Sequence, residues 1–195
     1  MSGALRVLTD QRHELPEASS RRLETLLVEE LERLRRLVAP SSGEGAGPAG
    51  ENLDVDSLVA RVVLARRMAG QEVAWDPSGC RVRAVADDVV EVLNILLVNA
   101  WRHAGGAPAR IDVAGEGSIT VITVRDNGPG VPPELRETIF ERGVRRAGSP
   151  GQGLGLAMAR NLVERQGGSL ALVPTEGTGA CFRVTLPAAV REEAA

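Results

Sequence analysis

The chain has 195 residues, 43% of them hydrophobic and 25% charged, which is the balance of a soluble globular protein with one sizeable core and a small appendage. Its net charge of −3 and its 2% of aromatic residues provide neither the basic field nor the stacking platform of a nucleic-acid-binding protein. Cys80 and Cys181 have no metal-ligand or disulfide spacing, and neither a signal peptide nor a membrane-spanning run is present, so a cytoplasmic location is expected.

The first 39 residues predict a partial helical hairpin. Residues 4–12 can form only a short helix before Pro16 interrupts it, and a second helix is predicted over residues 17–38. A narrow apolar stripe on an otherwise charged helix needs a partner, so a homodimer through residues 17–38 is expected. The stripe consists of Leu23, Leu27, Leu31, Leu34 and Val38. Residues 40–50 (PSSGEGAGPAG) predict a flexible linker.

Residues 51–190 predict an α+β domain, a two-layer sandwich with a mixed sheet, and residues 191–195 form a tail. Helices are expected at residues 57–69, from Asp87 or Asp88 through His103, at 132–140 and at 153–166. Asp56 is expected to cap the first helix, and Asp87 or Asp88 the second. Strands are expected at residues 71–75, 80–85, 110–114, 118–125, 170–173 and 181–186.

The stretch at residues 91–103 (EVLNILLVNAWRH) combines an apolar face with a polar one. Asn99, Arg102 and His103 lie at i, i+3 and i+4, so they share one face of the helix. An amide oxygen is a hard ligand for Mg²⁺, and two basic side chains can contact phosphate oxygens. The helix therefore predicts a site for a metal-bound polyphosphate, with Asn99 as the metal ligand.

Three further motifs follow this helix in order: DNGPG at residues 126–130, IFER at 139–142 and GQGLGL at 151–156. Together, the four resemble the N box, first glycine box, F box and second glycine box of sensor histidine kinases, over residues 51–187. These kinases belong to the ATPase group that also contains gyrase, heat-shock chaperones and mismatch-repair ATPases. The resemblance implies an ATP-binding catalytic domain that transfers the γ-phosphate to a histidine, and residues 1–39 look like part of the dimerisation hairpin. The implied partner is a response regulator or a histidine-bearing kinase.

The resemblance also assigns roles to individual residues. Asn99, Arg102 and His103 match the catalytic positions, and Asp126 matches the residue that accepts a hydrogen bond from the exocyclic amine of adenine. A DNG hairpin turn remains the alternative interpretation of Asp126. The free amides before the last helix would meet the phosphates, under a loop that is used as a lid. The remaining nucleotide-binding positions are Gly128, Gly130, Phe140, Arg142, Arg145, Gly151, Gly153, Leu154 and Gly155, with Arg146 as a further lid residue.

The chain departs from the family pattern in three places. Ile95 stands where relatives often have a second Asn or a water-activating Glu, and Asn94 lies about 100° off that face. Ala180 stands where many relatives carry Ser or Thr near the adenine. His13 precedes Glu14, but Pro16 follows it too closely for a phosphate-accepting helix. An exposed histidine at a hairpin turn and a phosphoacceptor are the two interpretations of His13, and the first implies that the acceptor lies elsewhere.

Two other functions are compatible with these motifs. One is a stand-alone serine kinase of the anti-sigma-factor type, although the leucine-striped helix argues against it. The other is an interaction module that binds ATP without using it, which Ile95 and the missing acceptor favour. Water-activating hydrolysis is poorly supported, because Glu91, two turns before Asn99, is expected to lie too far away to act directly.

Overall fold

The computed structural model describes residues 50–144, 152–175 and 177–189, and the predictions for residues 1–39 and 40–49 lie outside that part of the chain. Three α-helices occur in the described residues: α1 (Val55–Met68), α2 (Ala86–His103) and α3 (Gly155–Glu164). The strands are β1 (Glu51–Asp54), β2 (Val73–Trp75), β3 (Arg81–Ala84), β4 (Ala109–Glu116), β5 (Ile119–Arg125), β6 (Ser169–Val173) and β7 (Cys181–Pro187). No helix in these ranges is long and apolar enough to span a membrane.

A mixed five-stranded sheet forms one layer of the domain. Its strand order is β2-β4-β5-β7-β6, with β2 parallel to β4 and every other neighbouring pair antiparallel. Alternating residues of these strands point to one face, where they join the apolar sides of the helices in a single core. The fold class is therefore confirmed as an α+β sandwich of a mixed sheet and helices.

The core holds α2 at its centre. Leu93, Leu96 and Leu97 of this helix are at most 1% exposed, and they belong to the same cluster as Ile111 of β4 and Ile122 of β5. Because this apolar side is buried against the sheet, the residues between its leucines lie on the opposite side of the helix. The packing thereby determines which α2 residues can contact a ligand.

The predicted cap of α1 is wrong. This helix begins at Val55, and Asp54 is its N-cap, accepting a hydrogen bond from the Asp56 amide at 3.3 Å. The carboxylate of Asp56 instead accepts hydrogen bonds from the amides of Ser78 at 3.0 Å and Gly79 at 2.7 Å. Asp56 therefore holds the turn between β2 and β3, a contact across more than 20 residues of sequence.

Two other local predictions are corrected. Val85 is the N-cap of α2 and no side chain caps it from the first turn, where Asp87 and Asp88 lie. The helix predicted over residues 132–140 is only a 3-10 turn at Pro133–Leu135, followed by irregular turns through Phe140. The first strand, β1, was not predicted from the sequence and pairs antiparallel with β3 in a separate two-stranded sheet.

Candidate nucleotide site

Asp126 lies directly after β5, as predicted, and its side chain is 7% exposed. Its Oδ1 accepts hydrogen bonds from the backbone amides of Gly128 at 2.9 Å and Ala180 at 3.1 Å. The Asp126 amide in turn donates to the carbonyl oxygen of Ala180 at 3.0 Å. Within the described part of the chain, no donor meets Oδ2. The carboxylate is thus held rigidly by one oxygen while the other keeps its accepting capacity.

The first glycine loop is closely packed from both sides. A Cβ on Gly128 would lie 2.9 Å from the carbonyl oxygen of His103, the last residue of α2. On the opposite side, a Cβ on Gly130 would lie 2.8 Å from the carbonyl oxygen of Gly179, which precedes β7. Only residues without a side chain let the backbone segments approach so closely. The loop is therefore wedged between the end of α2 and the turn that leads into β7.

Gly179 is a structural requirement that the sequence analysis missed. Its φ is +105°, and a Cβ there would lie 2.0 Å from the carbonyl oxygen of Asp126. Both observations require glycine, because a side chain would be strained and would displace the residue that carries the buried carboxylate. The sequence signal for this requirement is the pair of glycines at 177 and 179 just before an apolar strand.

Asn99 lies on α2 between the two glycine loops. The backbone of His103, four residues towards the C-terminus, contacts Gly128. The side chain of Ile95, four residues towards the N-terminus, lies 3.3 Å from the position of a Cβ on Gly155. Four residues of helix rise by about 6 Å, so Asn99 lies about one turn from each contact. Asn99 is half-buried, and its amide has no hydrogen-bond partner among the residues in the described ranges. No described residue therefore competes with a ligand for its polar atoms.

The other two α2 residues of the predicted face are more open. Arg102 and His103 are both exposed at the last turn, and neither side chain has a hydrogen bond or ion pair to another described residue. Both side chains can therefore contact solvent and a ligand bound beside Asn99. The helix thus presents the three predicted side chains at one end of the domain.

Asn94 faces a different part of the domain, as its position on the helix indicated. Its Oδ1 accepts a hydrogen bond from Nη2 of Arg66 on α1, at 2.7 Å. Burial lowers the pKa of Arg66, and the nearby Glu91 carboxylate raises it in partial compensation. Asn94 therefore ties α2 to α1, and it does not replace the missing amide at Ile95.

The second glycine box leads into α3. Gly143 donates a backbone hydrogen bond to the carbonyl oxygen of Gly153 at 3.0 Å, joining the end of the F box to this segment. The helix begins at Gly155 with Leu154 as its N-cap, and no side chain caps the first turn. Its first amides are therefore available to an anion. Gly151, Arg145 and Arg146, which were also predicted to contact the nucleotide, lie outside the described residues.

Phe140 of the F box packs on the sheet and on α3. Its ring meets the edge of the Phe182 ring on β7, with centroids 6.3 Å apart and planes at 84°. The guanidinium of Arg160 on α3 lies 5.7 Å from the Phe140 centroid and is paired with Glu164 at 2.7 Å. This packing holds Phe140 in place, whereas Arg142 of the same motif is exposed.

The chain is similar to known proteins of one family. Residues 84–190 match the family described as histidine kinase-, DNA gyrase B- and HSP90-like ATPase. Sensor protein KdpD of Escherichia coli (strain K12) is 46% identical over 100 residues, covering 49% of this chain and 11% of KdpD. Sensor protein kinase CarS of Pseudomonas aeruginosa is 33% identical over 175 residues, covering 85% of this chain and 39% of CarS. The structure of the mycobacterial sensor histidine kinase MprB matches with a TM-score of 0.61 at 26% identity, over 71% of this chain and 97% of that one.

Each match covers a different share of this chain than of the protein to which it is similar. The chain spans 11% of KdpD and 39% of CarS, so the curated relatives are much longer proteins. The MprB structure, in contrast, is covered almost completely by the part of this chain that matches it. The chain belongs to the histidine kinase-, DNA gyrase B- and HSP90-like ATPases, and it contains the catalytic, ATP-binding domain of a two-component sensor histidine kinase.

Proposed function

We propose that this domain binds Mg²⁺-ATP between α2 and the two glycine loops and transfers the γ-phosphate to a histidine supplied by another helical hairpin. The observation that carries the proposal is the Asp126 carboxylate, which two backbone amides hold through Oδ1 while Oδ2 can still accept a hydrogen bond. The exocyclic amine of adenine is a donor that fits this acceptor. Guanine presents a carbonyl oxygen at the same ring position and does not.

The phosphates would extend from the adenine loop along α2 towards the start of α3. Asn99 lies about one turn from both Gly128 and Gly155, so a nucleotide held at these two places passes beside its amide. The uncapped first turn of α3 supplies amide donors for phosphate oxygens. Arg102 and His103, exposed at the end of α2, would place positive charge near the same oxygens.

Mg²⁺ fits the donor set of this site. Asn99 provides one hard oxygen ligand without a competing hydrogen bond from another described residue, and Mg²⁺ commonly keeps several waters and binds one or two protein groups together with phosphates. When bound, the ion would neutralise charge that develops on the phosphates. Asn99 then orients the phosphate chain, and the amides of α3 hold it for in-line attack by the acceptor histidine.

The partners follow from this chemistry. Residues 17–38 would dimerise, and a response regulator would receive the phosphoryl group from the histidine. ATP and such regulators are found in the cytoplasm, where we propose that the domain works.

A second function is favoured by Ile95. This residue places an aliphatic side chain next to Gly155, where a water-activating carboxylate would be useful for hydrolysis. A domain without such a group can retain ATP, so it could act as a nucleotide-dependent interaction module. Phosphoryl transfer to histidine depends mainly on positioning and charge neutralisation, so Ile95 does not exclude it.

Two measurements test the proposal. Calorimetric titration should show binding of ATP that requires Mg²⁺, with much weaker binding of GTP. Incubation with γ-labelled ATP and a histidine-bearing hairpin should then give an acid-labile, alkali-stable phosphoprotein, and the same hairpin with its histidine replaced serves as the control. An acid-stable product would identify a serine kinase, whereas Mg²⁺-ATP binding without any transfer would favour the interaction module.

A further inference from the structure

The helices α2 and α3 run antiparallel, and they are joined at both ends. At one end, Gly155 lies beside Ile95, one turn from Asn99. At the other end, the side chain of Gln166, just beyond α3, reaches Val85, the N-cap of α2. The first contact lies at the candidate phosphate site, and the second lies about 15 Å along the helices from it.

Gln166 makes two hydrogen bonds that link the helices directly. Its Oε1 accepts from the Val85 amide at 2.7 Å, and its Nε2 donates to the carbonyl oxygen of Leu162 at 2.9 Å. Leu162 is in the last turn of α3, where backbone carbonyls lose their helical partners. One side-chain amide therefore forms hydrogen bonds with both the start of α2 and the end of α3.

The surroundings of Gln166 restrict it to this geometry. Its side chain lines a small apolar cavity together with Val89 and Leu93 of α2 and Val163 of α3. An adjacent ion pair, Arg165 to Asp88 at 3.6 Å, crosses between the same two helices. Because Gln166 is half-buried and borders this apolar cavity, loss of either bond would leave a partly buried polar atom without its protein partner.

We infer that Gln166 is a positioning residue for the nucleotide: by fixing the end of α3 to the start of α2, it sets how the first amides of α3 face Asn99. The inference rests on the proposed function for its consequence in ATP binding. The adenine contact is built separately, from the end of β5, the turn before β7 and the end of α2. Gln166 therefore affects the phosphate part of the site and not the base.

The test compares Gln166→Met with Thr120→Val. Methionine keeps the length of the side chain and removes both hydrogen-bonding atoms. Thr120 of β5 is 1% exposed, and its hydroxyl donates to the carbonyl oxygen of Arg81 at 3.1 Å, a hydrogen bond between β5 and β3 that involves neither α2 nor α3. Both variants lose partly buried side-chain hydrogen bonds, so the control shows what a general loss of stability does to ligand binding.

Three readouts are taken on the full chain under conditions where each variant is folded. In Gln166→Met, calorimetric Mg²⁺-ATP affinity should fall about tenfold, the equivalent of about 1.4 kcal/mol. Adenosine affinity, measured by NMR titration, should change less than about twofold. Hydrogen exchange of the nucleotide-free protein should become faster both at residues 85–89 and at residues 153–158. Thr120→Val should lower the unfolding midpoint and leave all three ligand-site readouts unchanged.

Other outcomes overturn the inference. Faster exchange confined to residues 85–89 and 162–168, with unchanged Mg²⁺-ATP affinity, would make Gln166 a local cap only. Equal losses for ATP and adenosine would indicate general loosening. If Gln166→Met does not fold, Val85→Pro removes the same amide donor from the other helix and must give the same pattern. Failure of the wild-type chain to bind Mg²⁺-ATP would refute the proposed function, while hydrogen exchange would still decide whether Gln166 couples the helices.

Discussion

Asp126→Asn changes a single atom of the buried carboxylate after β5, and the structure predicts separate effects on stability and on nucleotide binding. The asparagine oxygen can keep the place of Oδ1, where it still accepts from the amides of Gly128 and Ala180. Charged hydrogen bonds contribute about 1.5–3 kcal/mol and neutral ones about 1 kcal/mol, so weakening both bonds should lower the free energy of unfolding by about 1–4 kcal/mol. Asp126→Ala leaves both amides unpaired and should cost about 2–6 kcal/mol.

Asp126→Asn should also weaken ATP binding, through a separate contact. With its oxygen held by the two amides, the asparagine presents its NH₂ group at the position of Oδ2, where it meets the amine of adenine as donor against donor. An unpaired buried partner costs about 1–3 kcal/mol, which corresponds to a rise in the ATP dissociation constant of about 5- to 150-fold. The same NH₂ group can donate to the 6-carbonyl oxygen of guanine, so the preference for ATP over GTP should shrink.

The assay combines calorimetric titration with ATP and GTP and urea unfolding of wild type, Asp126→Asn and Asp126→Ala. The two substitutions are matched, because only asparagine preserves the contacts to the glycine loop. An ATP affinity that does not change in Asp126→Asn would refute the adenine assignment. Equal destabilisation by both substitutions would refute the claim that Oδ1 is held independently of the ligand.

Asn99→Ala should abolish Mg²⁺-dependent ATP binding, measured by calorimetry with and without chelator. The unfolding midpoint should stay unchanged or rise slightly, since the amide has no partner among the described residues and alanine favours helix. An unchanged ATP affinity would contradict the metal assignment. Gly179→Ala should lower stability by about 1–3 kcal/mol in urea and weaken ATP together, because its Cβ would meet the Asp126 carbonyl oxygen at 2.0 Å; a wild-type midpoint would disprove the close approach. Burial raises the pKa of the Cys181 thiol, so iodoacetamide at pH 8 should alkylate half-buried Cys80 alone until the protein is denatured. Native labelling of both thiols would show that Cys181 is not protected.

The motifs of the site were predictable because each acts over a few residues. The i, i+3, i+4 spacing of Asn99, Arg102 and His103 follows from helix geometry alone, and the structure has the helix that this spacing requires. Asp126 at a strand end followed from the β-branched residues of β5 and the glycines after it. These are local properties of the chain, and local sequence is sufficient to predict them.

The errors occur where a distant partner changes the local preference. Asp56 has the residue type and position of a helix cap, yet its carboxylate binds the amides of Ser78 and Gly79 instead. Residues 136–140 do not continue as a helix, and Phe140 at their end packs against Phe182 and Arg160. In both cases the stabilising contact comes from a segment more than 15 residues away, which no window of sequence contains.

The sequence by itself determined the fold class and the central helix α2, and it supplied the candidate residues of the nucleotide site. Only the tertiary structure decided that Gly179 supports Asp126, that Asn94 binds Arg66, and that Gln166 joins α2 to α3. The physical reason is the range of the interactions: helical spacing and turn preference are set by neighbouring residues, whereas close backbone approach and buried hydrogen bonds depend on which segments the folded core brings together.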